Sequence, residues 1–202
     1  MPTLVLATRN AGKVRELAEM LAGSGIDVRS VAEWPELPDV EEDADTFEGN
    51  ATKKAVTTAQ ALGLPALADD SGLVVDALDG RPGVYSARYG GPGLTDSDRC
   101  VRLLAELGEH GLEASPARFV CAMALARPDG SVVIRRAAWE GTVRGPQRGD
   151  NGFGYDPVFE PADSHGTAAQ LVSEVKNRLS HRGQALTAMV ALLREQPELL
   201  AD

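Results

Sequence analysis

Aromatic side chains are scarce in this sequence, with four Phe, three Tyr and two Trp in 202 residues. That scarcity argues against rows of stacking rings for single-stranded nucleic acid. It also leaves the core to be built from Val, Leu, Ile and Ala. Positive charge is short as well: 20 Lys and Arg stand against 30 Asp and Glu, for a net charge of −10. A surface that acidic repels nucleic acid and anionic membranes at long range, so neither is expected as a partner. An anionic ligand has to meet a local basic cluster or a metal ion. Only two cysteines are present, Cys100 and Cys121, each inside an apolar stretch. They lack the spacing of metal ligands or a redox pair and read as reduced core thiols. No apolar run approaches the ~18 residues of a membrane span, and no basic segment leads into an apolar one near Met1. A soluble, cytoplasmic protein is expected.

The chain is long enough to bury a sizeable core, and one domain over residues 1–202 is expected. Thr3 to Ala7 is a short continuous apolar run that suits a buried strand. After it, Val14, Leu17, Ala18 and Leu21 recur at helical spacing, and Gly23 and Gly25 end the helix. Asp27 to Val31 reads as a second strand, and residues 34–46, rich in Pro and acid, as a loop. A helical pattern returns from Phe47 to Leu62, stopped by Gly63 and Pro65. Pro65 to Ala68 reads as a short strand ending at ADDSGL, with a further strand from Leu73 to Leu78. Thr95 and Asp98 have the spacing of a capping box, for a helix reaching about Leu107. Arg118–Ala126 and Ser131–Trp139 are apolar runs joined by Arg127, Pro128, Asp129 and Gly130, a hairpin signal. The tail is helical from about Thr167 to Arg178 and from Arg182 to Glu195. Early strand–helix alternation, then a hairpin and C-terminal helices, gives an α/β fold with a mixed sheet.

Four segments carry polar chemistry. TRNAGK places Thr8, Asn10 and Lys13 at a strand-to-helix turn. It reads either as a phosphate site at a helix N-terminus or as a helix cap beside a solvated lysine. It lacks the glycine spacing of a P-loop. Asp69 and Asp70 fall where a short strand ends, with Glu41, Glu42 and Asp43 in the loop upstream. Carboxylates gathered beside phosphates favour Mg²⁺, which takes one or two protein carboxylates plus substrate oxygens. The bland alternative is a solvated loop and a turn-capping Asp pair. GDNGFGYDP lets backbone approach a flat ligand closely, and Phe153 or Tyr155 either stacks on a base or anchors the loop to the core. KNRLSHRGQAL brings Lys176, His181 and Arg182 together at a break between helices, for an anion or carbonyl-bearing base, or as a helix end stabilised by cations.

In combination, LATRNAGK, ADDSGL, GRPGVYSARY, GFGYDP and SHRGQAL resemble the inosine/xanthosine triphosphate pyrophosphatase family, in order and from about Thr3 to Leu193. The resemblance implies an elongated α/β structure whose central mixed sheet separates two lobes, with the nucleotide in the cleft between them, usually as a homodimer. It implies an enzyme that hydrolyses the purine nucleoside triphosphates ITP, dITP and XTP to monophosphate and pyrophosphate with Mg²⁺. Thr8, Arg9, Asn10, Ala11, Gly12 and Lys13 would hold phosphates. Asp70 would be the catalytic carboxylate and a metal ligand, with Glu41 as its metal-binding partner. Ser71 would touch substrate, and Lys54 matches a lysine of the following helix. Phe153, Gly154, Tyr155 and Asp156 would line the base and sugar, and Lys176, His181 and Arg182 the base edge. The bacterial family pattern E-x-x-G-x-T-F-x-E-N-A is altered here: Ala44 stands for Gly, and Gly49 for Glu. Glu41, Glu42 and Glu48 therefore all remain possible acids of the metal site, Glu41 being preferred on alignment.

Overall fold

A computed structural model describes residues 1–200. Its strands are β1 (Thr3–Leu6), β2 (Asp27–Ser30), β3 (Ala66–Val75), β4 (Ala114–Ala126), β5 (Val132–Arg144) and β6 (Phe159–Pro161). Its α-helices are α1 (Ala11–Leu21), α2 (Phe47–Leu62), α3 (Asp96–Glu109), α4 (Ser173–Leu179) and α5 (His181–Glu195). The six strands form one sheet in the order β2-β1-β3-β4-β5-β6. β1 is parallel to β2 and to β3, whereas β6 is antiparallel to β5, so the sheet is mixed.

The chain divides into two compact units: residues 1–70, 121–137 and 182 onward, and residues 71–120 and 138–181. Strands β3, β4 and β5 each give residues to both. Each unit has its own core. In the first, Leu4, Leu6 and Leu67 of β1 and β3 pack with Leu17 and Leu21 of α1, Met123 and Leu125 of β4, and Leu186 and Met189 of α5. In the second, Leu73, Leu103, Leu107, Phe119, Trp139, Tyr155 and Phe159 pack together. Phe159 is central there, with its ring centroid 4.6 Å from Phe119 and 5.5 Å from Trp139. Four of the five buried aromatics, all but Phe47, are thus in one core.

Local signals decide the helix ends. Asn10 caps α1 by accepting from the backbone N–H of Gly12 and Lys13. Thr46 caps α2, and Gly63 closes it at φ 65°, a left-handed conformation that glycine adopts without strain. Thr95 and Asp98 form the expected capping box of α3. Ala18, assigned to the buried face of α1, is exposed; that face is carried by Leu17 and Leu21 instead.

One element differs in kind. ADDSG does not interrupt the sheet. β3 runs unbroken through Asp69 and Asp70, and Asp76–Leu78 turns into a 3₁₀ helix instead of extending a second strand. The two aspartates therefore project from mid-strand and are buried. The hairpin strands β4 and β5 are both longer than their apolar runs, and the short β6 carries no sequence signal.

Candidate active site

In the first unit, β3 delivers its two consecutive aspartates to opposite faces of the strand, and each meets different partners. Asp69 Oδ2 lies 2.9 Å from Lys13 Nζ of α1 and 3.4 Å from Arg182 Nε of α5. Arg182 is also bonded to Glu16 at 2.5 Å. Burial works against the Arg182 cation, but Asp69 and Glu16 outweigh it and hold its pKa above the ordinary guanidinium value. Arg182, grouped with the base edge by sequence, thus faces carboxylates of the first unit.

Asp70 Oδ2 accepts a hydrogen bond of 2.9 Å from Asn50 Nδ2. Burial pushes the Asp70 carboxyl above its usual range; Lys54 and the Asn50 bond pull it down, and Glu42 pushes it up. Lys54 Nζ donates to the Asp69 carbonyl at 2.7 Å and to the Glu42 carboxylate. Its burial is opposed by Asp69, Glu42 and Asp70, and the lysine pKa ends above normal. Glu42 is therefore the acid of the upstream loop that reaches this cluster. Glu41 is exposed, and Glu48 pairs with Arg136 at 3.0 Å.

The TRNAGK turn divides its labour. Asn10 spends its side-chain oxygen on the helix cap, with Gly12 N at 2.9 Å, and Thr8 Oγ1 accepts from Asn10 N at 3.3 Å. Arg9 turns to the following loop, donating to Asp39 Oδ1 at 2.8 Å and to the Leu37 carbonyl at 2.7 Å. Ala11 and Gly12 open α1, and Lys13 is the residue of the turn that reaches the carboxylates.

In the second unit, Asp156 is buried and organises its own loop. Its Oδ2 accepts from Phe153 N at 2.9 Å and pairs with Lys176 Nζ at 2.8 Å. Lys176 sits 5.1 Å from the centroid of the half-buried Phe153 ring. Gly152, at φ 78°, packs so closely that an added Cβ would lie 2.0 Å from Asp156 Oδ2. Gly154 N donates to Asp96 at 2.7 Å, a partner no sequence pattern indicated. Tyr155 is buried and donates its hydroxyl to the Ser86 carbonyl at 2.8 Å. Of the two rings of GFGYDP, Tyr155 is the anchor and Phe153 the more exposed. His181 is buried and stacked on Phe119, centroids 4.8 Å apart and planes 10° from parallel. Ser71, the next residue of β3 after Asp70, is partly buried.

A profile of the Ham1 family matches residues 4–192. The chain belongs to the Ham1 family. The motif resemblance and this match agree. Among its Ham1 relatives, a protein of Geobacter sulfurreducens named dITP/XTP pyrophosphatase is 49% identical over 189 residues, covering 94% of this chain and 95% of the relative. Among solved structures, a HAM1 protein from Coxiella burnetii superposes with a TM-score of 0.89 at 41% identity, covering 96% of this chain and all of that one. A Mycobacterium abscessus structure titled nucleoside-triphosphatase / dITP/XTP pyrophosphatase gives 0.74 at 41% identity, over 93% of this chain and 98% of that one. The α/β fold with a mixed sheet is the Ham1 fold.

The two departures of this chain from the bacterial pattern explain one another. A Cβ at Gly49 would stand 2.8 Å from Ala44 Cβ and 3.0 Å from Thr46 Oγ1. With Ala at 44, position 49 has no room for a side chain; with Gly at 44, the worse of the two clashes is gone. Gly49→Ala is therefore expected to lower stability in the natural chain. In an Ala44→Gly background the same change should raise it, toward the ~1 kcal/mol by which Ala exceeds Gly inside a helix. Urea denaturation of the four proteins reads the sign, and the same sign in both backgrounds would dismiss the compensation.

Proposed function

We propose that this chain hydrolyses deaminated purine nucleoside triphosphates, ITP, dITP and XTP, to the monophosphate and pyrophosphate. The observation that carries the reading is the near full-length relationship to proteins named dITP/XTP pyrophosphatase. The two clusters supply the chemistry it needs.

We assign Mg²⁺ to Asp70 and Glu42, in place of the Asp70 and Glu41 pair that the alignment suggested. The donor set fits. It consists of carboxylate oxygens only, and Glu42 is near enough to Asp70 to push its carboxyl up. Two carboxylates, with substrate oxygens and water completing the shell, are what a hard, reluctantly dehydrated ion uses. Bound there, the ion supplies neutralisation of phosphate charge and a polarised water. Asp70, whose carboxyl burial already disfavours as an anion, would hold the ion and orient a water for attack. Lys13 and Lys54 hold phosphate oxygens and stabilise the charge that develops as the α–β bond breaks.

Lys176, kept in place by Asp156 and Phe153, is a fixed donor. It suits the 6-oxo group of hypoxanthine or xanthine and meets the 6-amino donor of adenine as a mismatch. Sites built on such hydrogen bonds discriminate by about 10⁴-fold or more. We assign His181 to support of this base edge through its stack on Phe119. A homodimeric assembly is assigned on the family resemblance, and the cytoplasmic location expected from the sequence is kept as a proposal. No helix among the described residues is long and apolar enough to cross a membrane.

Pyrophosphate release from ITP, XTP, ATP and GTP, with and without Mg²⁺, tests the reading. We expect turnover of ITP and XTP only with the metal, and ATP slower by orders of magnitude. Hydrolysis of ITP in heavy-oxygen water should place the label in IMP and none in pyrophosphate, as attack at the α-phosphorus requires. Label in pyrophosphate, or an initial burst of IDP, would overturn the mechanism. Equal rates on ATP and ITP would overturn the substrate assignment.

A further inference from the structure

Asn50 is fully buried in α2, a helix whose neighbouring buried positions are largely Ala. A buried amide without partners costs ~1–3 kcal/mol, so its partners carry information. Asn50 Oδ1 accepts from the backbone N–H of Ala44 at 2.9 Å. Its Nδ2 donates to Asp70 Oδ2 at the same distance. One side chain thus holds both the acid loop and the carboxylate of β3.

Lys54, one helical turn on, repeats the pattern. It bonds to Glu42 of the same loop and to the Asp69 carbonyl of the same strand. Two residues on one face of α2 therefore each make one bond to residues 42–44 and one to residues 69–70. Lys54 bridges with a flexible stem and a charge. Asn50 bridges with a short, planar amide that has no slack, and each of its two ends can satisfy only one kind of partner. The amide therefore fixes which Asp70 oxygen is engaged and how far the loop stands from the strand.

We infer that Asn50 is a positioning residue of the metal site: it sets the separation between the Glu42 loop and Asp70, and the affinity for the divalent ion depends on it without Asn50 touching the ion. The inference rests on the assignment of the ion to Asp70 and Glu42. Partners that orient metal ligands are typically worth 10- to 100-fold in affinity.

The test is Mn²⁺ binding to the full-length enzyme without nucleotide, followed by electron paramagnetic resonance of the free ion, beside kcat against Mg²⁺ concentration. Four proteins are compared: the natural chain, Asp70→Asn, Asn50→Ala and Ala44→Pro. Asp70→Asn examines the metal assignment alone. Asn50→Ala removes both bonds. Ala44→Pro removes the loop donor while the buried amide stays in place, and so remains informative if Asn50→Ala fails to fold. With Asp70→Asn losing Mn²⁺ binding, Asn50→Ala and Ala44→Pro are each expected to weaken it about 10-fold or more. Most of kcat should return at saturating Mg²⁺, which general loss of structure would not allow. If Asp70→Asn binds Mn²⁺ like the natural chain, the metal assignment falls. If Asp70→Asn loses the ion while the folded Asn50→Ala or Ala44→Pro protein binds it normally, the positioning role of Asn50 is overturned.

Discussion

Asp70→Asn should yield a folded protein whose kcat on ITP has fallen by about 10³-fold or more. Asn has the shape of Asp and can still present an oxygen to Asn50 Nδ2, so the 2.9 Å contact survives. It lacks the negative charge that a divalent ion and a nucleophilic water require. The change should also stabilise the metal-free protein. Burial raises the Asp70 pKa in the folded state, so ionisation costs stability that sets in as the pH rises past the ordinary Asp value and is complete once it passes the raised one. Asn escapes the cost. The gain in melting temperature over the natural chain should be present at pH 7 and vanish below the ordinary Asp value of about 4. Turnover by steady-state kinetics and melting by calorimetry measure the two effects. Near-normal turnover in the folded variant would remove Asp70 from catalysis. A lower melting temperature at pH 7 would show that its charge serves the fold.

The same residue shows how far the sequence was legible. Helices were readable because their signals are local: Asn10 and Thr95 as caps, and Gly63 as a left-handed stop, each act within one turn. The ADDSG segment misled because Asp, Ser and Gly are turn residues by local preference. Their strand conformation depends on remote partners. Asn50 lies 20 residues from Asp70, and Arg182 lies 113 from Asp69. No window of sequence weighs such contacts.

In the site, residue types were visible and pairings were not. Lys13 and Asp70 came from separate motifs and Lys54 from the family resemblance, and all three fall in the first unit. The sequence did not show that Lys176 pairs with Asp156, nor that Arg182 pairs with Asp69 and Glu16. A shift of one position in an irregular loop separates Glu41, which is exposed, from Glu42, which is bonded to Lys54. Loops have no periodicity to fix such a register. Asn50 was missed although a signal existed: it is a polar residue on the Ala-rich face of an amphipathic helix, four before the buried Lys54.

Lys54→Met is expected to lower kcat by about 10²- to 10³-fold, as loss of a fixed charge-stabilising donor does. It should also destabilise the protein. The ammonium serves the Asp69 carbonyl and Glu42, and its loss leaves both without it. The cost should be ~2 kcal/mol, under the figure for a fully buried pair because the Glu42 side chain keeps 30% of its exposure. Lys54→Arg should not restore activity, since a planar guanidinium cannot occupy the place of a compact ammonium between a carbonyl and a carboxylate. The informative protein is Lys54→Met combined with Glu42→Gln. Removing the second charge relieves the carboxylate that has lost its ammonium, so stability should return toward that of the natural chain. Activity should stay low, because the proposed phosphate cation and the proposed second metal acid are both gone. Urea denaturation and pyrophosphate release on the same preparations separate the two quantities. Were stability and activity to recover together, Lys54 would be a counter-ion of Glu42, and the charge that develops on the phosphates would have to be met by Lys13.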